Sequence, residues 1–154
     1  MRLVVAVVGK ARNPALGEAI RDYETRAARY WPLDVHEVRE EKAGGIPLAR
    51  VKEREGLRLS EKIPARAQTV ACEKGGRSLS SEQFAELLRK ARDEDRDLAF
   101  LIGGAFGLAS DVAASSTMKL SLAPWTLPHE IARLVLAEQI YRAGTIVRGE
   151  PYHK

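Results

Sequence analysis

The spacing of apolar residues changes period several times along the chain, and each change marks an element. Leu3-Val4-Val5-Ala6-Val7-Val8 is continuously apolar and largely β-branched, the pattern of a strand covered on both faces in a parallel sheet. Gly9-Lys10 ends it. Residues 14 to about 30 take up helical spacing, with Leu16, Ile20 and Tyr23 on one side and Pro14 suited to a first turn. Pro32 stops that helix. Leu33-Asp34-Val35-His36-Glu37-Val38 then alternates as a second strand with one wet face. Gly44-Gly45 and Pro47 mark a loop. Residues 48–63 form a highly charged helix with few apolar points (Val51, Leu57, Leu59), which is expected to be exposed. Residues 69–72 give a third strand. Ser80 and Gln83 have the spacing of a capping box, opening a helix that buries Phe84, Leu87, Leu88 and Ala91. Leu98-Ala99-Phe100-Leu101-Ile102 is another continuous apolar strand. A short helix over 111–115, a fifth strand over 119–122 and a long helix from Pro128 to about Ala143 complete the series. Strands alternating with helices predict an α/β fold, a mainly parallel sheet with helices on both faces.

A length of 154 residues suits a single domain over 1–154. The mix of 45% hydrophobic and 30% charged residues is ordinary for a globular domain, and no apolar run approaches the ~20 residues of a membrane span. The opening apolar run is too short for a signal peptide and lacks a cleavage region. Cys72 is the single cysteine, which excludes an internal disulfide framework and a multi-cysteine zinc site and fits a reducing cytoplasm. His36, His129 and His153 lie too far apart for a metal-ligand motif, so no metal is expected. The formal charge of +4 tilts the chain toward anionic partners without naming one.

In open α/β sheets, ligands bind beyond the carboxyl ends of the strands. Three loops leave strands there in the second half: Glu73-Lys74-Gly75-Gly76-Arg77, Gly103-Gly104-Ala105-Phe106-Gly107 and Ala123-Pro124-Trp125-Thr126-Leu127. Glycine permits close approach of a ligand to the backbone; a tight strand-to-helix turn explains Gly103-Gly104 equally well. Their spacing departs from the dinucleotide fingerprint and no phosphate loop occurs, which sets aside a nucleotide-binding oxidoreductase. On the last helix, His129 and Arg133 share a face, as do Glu138 and Arg142. The second pair is either a surface ion pair worth ~0.3–0.5 kcal/mol or a carboxylate that orients a guanidinium toward a phosphate. His129 stands near the helix start, where the dipole disfavours an added positive charge. It is either a backbone hydrogen-bonding residue or a proton acceptor. Trp31 is assigned to the core and His36 to a structural role, while Trp125 fits either core or contact. Tyr152, His153 and Lys154 read as a tail used for contact, since frayed ends rarely need such residues.

Leu101-Ile102-Gly103-Gly104-Ala105-Phe106-Gly107-Leu108, Leu120-Ser121-Leu122 with Leu127-Pro128-His129, Tyr141-Arg142 and Pro151-Tyr152-His153 occur in order across the second half. In these runs the chain resembles the RlmH family, small bacterial SPOUT-type methyltransferases acting on large-subunit ribosomal RNA. The resemblance covers essentially the whole chain. It implies an α/β trefoil knot, with residues of about 70–154 in the knotted half. It also implies S-adenosylmethionine as cofactor, in a pocket built from Cys72, Gly103, Gly104 and the run Ser121, Leu122, Ala123, Pro124, Trp125, Thr126 and Leu127. Cys72 departs from the aliphatic residue expected there. A buried thiol behaves as a small hydrophobe, and no base stands near it in sequence, so it is not read as a nucleophile.

The reaction implied is N3-methylation of a pseudouridine in large-subunit rRNA, on the assembled ribosome, by a cytoplasmic homodimer. A sulfonium methyl is already electrophilic, so the chemistry asks for alignment and proton removal. His129 and His153 are the candidate proton acceptors. Arg133, Arg142 and Lys154 are candidates for stabilising charge or gripping phosphates, and Tyr152 for stacking on a base. The tail of one subunit is expected to complete the site of the other. The alternative is a non-catalytic RNA-binding or ribosome-associated factor that keeps the fold without the pocket.

Overall fold

The computed structural model describes residues 1–153, with the His153 side chain and Lys154 outside the description. Five parallel strands, β1 (Leu3–Val8), β2 (Leu33–Val38), β3 (Gln68–Ser78), β4 (Leu98–Ile102) and β5 (Met118–Ser121), form one sheet in the order β2-β1-β4-β3-β5. The continuous apolar strands sit centrally: every residue of β1 and β4 is buried. Their side chains alternate between two cores, as the period of two requires. Leu3, Val5, Val7, Leu98, Phe100 and Ile102 face a core closed by helices α1 (Pro14–Ala27), α3 (Ser81–Asp93) and α5 (His129–Arg148). Ala6, Val8 and Leu101 face a smaller core closed by α2 (Leu48–Ser60) and α4 (Ser110–Ser115).

Local signals explain most boundaries. Asn13 caps α1 through its side-chain oxygen, with Pro14 in the first turn. The capping box of α3 forms as expected: Gln83 N–H donates to Ser80 Oγ at 3.2 Å, and Ser80 N–H donates to Gln83 Oε1 at 3.0 Å. Trp31 is buried and its Nε1–H donates to the Ile140 carbonyl at 3.0 Å, tying α5 to the end of α1. Gly144 completes that contact, since a Cβ there would lie 2.4 Å from the Tyr30 ring.

Four expectations are corrected. Helix α2 ends at Ser60 and is not merely an exposed face: Val51, Gly56 and Leu59 are buried with Glu55, while Leu48 and Leu57 are left exposed. Strand β5 lies one residue earlier than read. Helix α5 continues five residues past Ala143 and is stopped by Gly149 in the left-handed conformation (φ +70°), a C-terminal signal the apolar periodicity did not carry. Strand β3 absorbs Glu73 to Arg77, read as a loop. There the register with β5 jumps, so that Leu120 is paired with both Cys72 and Arg77. A strand residue has one neighbour on each edge, so β3 passes from one side of β5 to the other. Gly76 makes the crossing possible, because a Cβ there would lie 2.6 Å from the Leu120 backbone.

Candidate functional site

At the carboxyl end of the sheet, the segments after β3, β4 and β5 enclose a cavity of about 340 Å³. Gly103 and Gly104 form its floor. The turn closes through Gly107 N–H donating to the Gly104 carbonyl at 3.0 Å, with Gly107 at φ +80°. A Cβ on Gly103 would lie 2.4 Å from the Gly107 carbonyl carbon, so the turn admits no side chain there. Cys72, Ile102, Leu108, Leu122, Leu127 and Ala132 supply apolar walls; Glu73, Lys74, Ala123, Thr126 and His129 supply polar and backbone edges. Phe106 and Trp125 stand at the rim, Trp125 at 75% exposure. Burial pushes the Cys72 thiol up to about 12, which leaves it protonated and apolar in behaviour.

The sequence-predicted cofactor residues therefore divide. Cys72, Gly103, Gly104, Leu122, Ala123, Trp125, Thr126 and Leu127 line one cavity. Ser121 and Pro124 do not line it. Ser121 Oγ donates to the Ala123 carbonyl at 2.7 Å and so fixes the loop from behind, while Pro124 faces solvent.

His129, the first residue of α5, reaches into the cavity. Its Nε2 is buried without a hydrogen-bond partner among the described residues, with Glu40 Oε1 3.9 Å away. Arg133, one turn on, turns away from the cavity. Its Nε donates to Glu24 at 2.7 Å and its Nη1 to Glu37 at 2.6 Å, and the side chain is 7% exposed. Its guanidinium is engaged in joining α5 to α1 and β2.

Arg142 and Tyr152 lie at the other end of α5. Arg142 Nε and Nη2 donate to Glu138 Oε1 at 2.9 and 2.6 Å, and its guanidinium carbon stands 4.9 Å above the Tyr152 ring. Tyr152 O–H donates to the same carboxylate oxygen at 3.1 Å and meets the Tyr23 hydroxyl at 3.3 Å. Its ring packs edge-on against Tyr141, with 4.6 Å between centroids. Burial, then the hydrogen bond shared with Tyr23 and the charge of Glu138, pushes the Tyr152 phenol well above its ordinary value, so it stays neutral. Arg142 Nη1 has no hydrogen bond among the described residues. The backbone of His153 continues a short 3-10 helix, Pro151–His153; its side chain and Lys154 lie outside the described residues.

Comparison with known proteins fits this geometry. The family described as "Predicted SPOUT methyltransferase" matches residues 1–153. The chain belongs to the SPOUT methyltransferase family. It is 55% identical over 154 residues to a protein of Gemmatimonas aurantiaca, with 100% of each chain covered, and 43% identical to one of Syntrophotalea carbinolica, with 99% of each covered. Both carry the name Ribosomal RNA large subunit methyltransferase H. Among solved structures, a probable methylase family protein from Haemophilus influenzae superposes with a TM-score of 0.59 at 13% identity, over 99% of this chain and 70% of that one. A probable methyltransferase from Bordetella pertussis gives 0.51 at 14%, over 92% and 95%. At these identities the likeness is one of fold.

Sequence reasoning on this SPOUT methyltransferase anticipated Glu138 beside Arg142 but missed the carboxylates beside Arg133 and His129. Glu24 and Glu37 lie 109 and 96 residues from Arg133, and Glu40 comes from beyond β2. No local spacing announces such partners. The Tyr23 contact with Tyr152 is equally remote, and residue 23 reads as core from its helical stripe alone.

Proposed function

We propose that the chain is an S-adenosylmethionine-dependent methyltransferase that acts on N3 of a pseudouridine in large-subunit rRNA on the ribosome, as a cytoplasmic homodimer. The single domain would carry its cofactor in the knotted half, about residues 70–154. The names of its relatives support the rRNA substrate. The double register of Leu120 supports the knot, because β5 enters between two stretches of β3.

The cavity residues fit the cofactor. A side-chain-free turn at Gly103 would let a ligand lie on the backbone, and Cys72, Ile102, Leu122 and Leu127 would pack a flat apolar ring. When bound, S-adenosylmethionine supplies an electrophilic methyl group on a sulfonium. His129 Nε2 faces the same cavity with no partner, and is the acceptor we assign to the N3 proton. Glu40 stands where it can stabilise the imidazolium that results. Arg133 is a positioning residue: locked to Glu24 and Glu37, it holds the start of α5, and with it His129, against the sheet. Arg142, held by Glu138, presents Nη1 for a phosphate or developing charge, and Tyr152 braces it. His153 and Lys154 keep the roles the resemblance implies, proton acceptor and phosphate contact.

One observation carries the dimer. His129 and Arg142 are thirteen residues apart on one continuous helix, which at 1.5 Å per residue separates them by about 20 Å along its axis. A single protomer does not bring both to one nucleotide. A second protomer packed antiparallel on α5 would, and the exposed Trp125 at the cavity rim offers apolar surface for it. The direct test is transfer of labelled methyl from S-adenosylmethionine to ribosomes lacking the modification, with mass mapping of the product. Methyl on one large-subunit pseudouridine is expected. Cofactor binding without transfer would point to another substrate, and no cofactor binding to the non-catalytic reading.

A further inference from the structure

A second concavity, a groove of about 1000 Å³, lies over the carboxyl ends of β1 and β2 beside the proposed cofactor cavity. Charged residues line it: Lys10, Arg12, Arg39 and Lys42 with Glu37, Glu40 and Glu41. The carboxylates are all engaged within the protein. Glu37 holds Arg133 at 2.6 Å, Glu40 holds Arg12 at 2.5 Å, and Glu41 binds both Arg54 and Arg58. Lys10, Arg39 and Lys42 are exposed and have no carboxylate partner among the described residues. The three unpaired cations give the groove a net positive charge, while each of its carboxylates is already engaged by an arginine. Such a surface attracts an extended polyanion.

The groove also meets the cofactor cavity. Glu40 is a wall of the groove and stands 3.9 Å from His129 Nε2, which lines the cavity. Arg12, on the groove, donates its backbone N–H to Glu130 Oε1 at 2.7 Å, fixing the groove wall to the first turn of α5. A strand lying in the groove passes directly beside His129.

We infer that this groove holds the phosphodiester backbone of the RNA substrate next to the nucleotide being modified, with Lys10, Arg39 and Lys42 contacting successive phosphates. The inference rests on the rRNA methyltransferase reading and assigns to the same protomer as His129 the surface that delivers the base to it. Phosphate contacts fix register and orientation without reading sequence, which is what a chain this small requires when Arg142 is too distant to serve in the same protomer.

The test is the triple variant Lys10→Glu/Arg39→Glu/Lys42→Glu, assayed with ribosomes lacking the modification and beside the conservative Lys10→Arg/Lys42→Arg variant. The triple variant should raise KM for the ribosome tenfold or more on the order set by three lost contacts, and should flatten the log–log salt dependence of binding by about 2. Its Kd for S-adenosylmethionine should match the parent, which shows that the cavity is intact. The conservative variant should keep the parent KM and salt slope. A triple variant with the parent KM and slope overturns the inference. So does a raised KM at unchanged salt slope, which would mean that the groove meets a ribosomal protein. A parent protein that leaves the RNA unmethylated overturns the activity reading, and this inference with it.

Discussion

The two ends of helix α5 make an instructive contrast. At its start, His129 faces a glycine-floored apolar cavity with its Nε2 unpartnered. At its end, Arg142 and Tyr152 form a hydrogen-bonded cluster with Glu138 and Tyr23 that leaves Arg142 Nη1 without a partner among the described residues. One end carries the cavity and the candidate proton acceptor; the other carries the guanidinium presented for a phosphate or developing charge. About 20 Å of one continuous helix separates His129 from Arg142. Each end is incomplete in the way the other would remedy, and that is the structural reason for reading the functional unit as two chains.

The largest effect is expected from the ends themselves. His129→Ala should lower kcat about 10²–10⁴-fold, the usual contribution of a positioned proton acceptor, and Arg142→Ala about 10²-fold. Neither should change Tm greatly; steady-state methyl transfer with a melting curve checks both. If His129→Ala were as active as the parent, the start of α5 would lose its chemical role.

Between the two ends, Arg133 is expected to matter for stability. Arg133→Met removes a nearly buried guanidinium and leaves Glu24 and Glu37 facing each other without it. Because both carboxylates keep some solvent, the loss should be about 2–4 kcal/mol in urea unfolding. A variant of parental stability would show that α5 is held by its apolar contacts alone.

At the cavity, Gly103→Ala would drive a Cβ into the Gly107 backbone and open the turn. Cofactor Kd by calorimetry should weaken on the order of tenfold, or about 1.4 kcal/mol. The same substitution leaves the Arg142 cluster untouched, so tryptophan and tyrosine spectra remote from the cavity should not move.

The smallest expected effect concerns Glu55 of α2, beneath Gly104. Its Oε1 accepts from Glu41 N–H at 3.0 Å, while Oε2 is buried without a partner. Burial raises its pKa, with Glu40 and Glu41 adding to the shift. A carboxyl whose folded pKa lies above its unfolded value is best tolerated at low pH, and its ionisation destabilises the fold as pH rises through the folded pKa. Glu55→Gln keeps the acceptor and removes the charge. It should therefore melt above the parent at pH 8, with the difference closing below about pH 4, near the ordinary glutamate value. An unchanged Tm across that range would mean that Glu55 ionises without cost.

What was legible in the chain follows the range of the interactions. The continuous runs of β1 and β4, the capping box of Ser80 and Gln83 and the first-turn Pro14 are local, and each appears where its pattern puts it. Three loops beyond strand ends were enough to locate the cavity, although Ser121 and Pro124 stand behind or outside it. The crossing of β3 around β5 was not legible, because Glu73 to Arg77 read as a polar, glycine-containing turn and pair only through Leu120, more than forty residues on. The fates of Arg133 and Arg142 were not legible either. Arg133 is locked by the remote Glu24 and Glu37, whereas Arg142 is held only by Glu138 one turn earlier and by the ring of Tyr152, and no local spacing distinguishes the locked side chain from the presented one.

Mixing two inactive variants, His129→Ala and Arg142→Ala, tests the cross-protomer site most directly. Each is refolded or co-expressed with the other, and methyl transfer to ribosomes is compared with that of each variant alone. If His129 of one chain works with Arg142 of its partner, the mixed dimer carries one site with both residues intact, and activity returns well above either parent variant. If the two residues serve within one chain, every site in the mixture still lacks one of them. Activity that stays at the level of the separate variants, with mixed dimers demonstrated by mass spectrometry, would contradict the account.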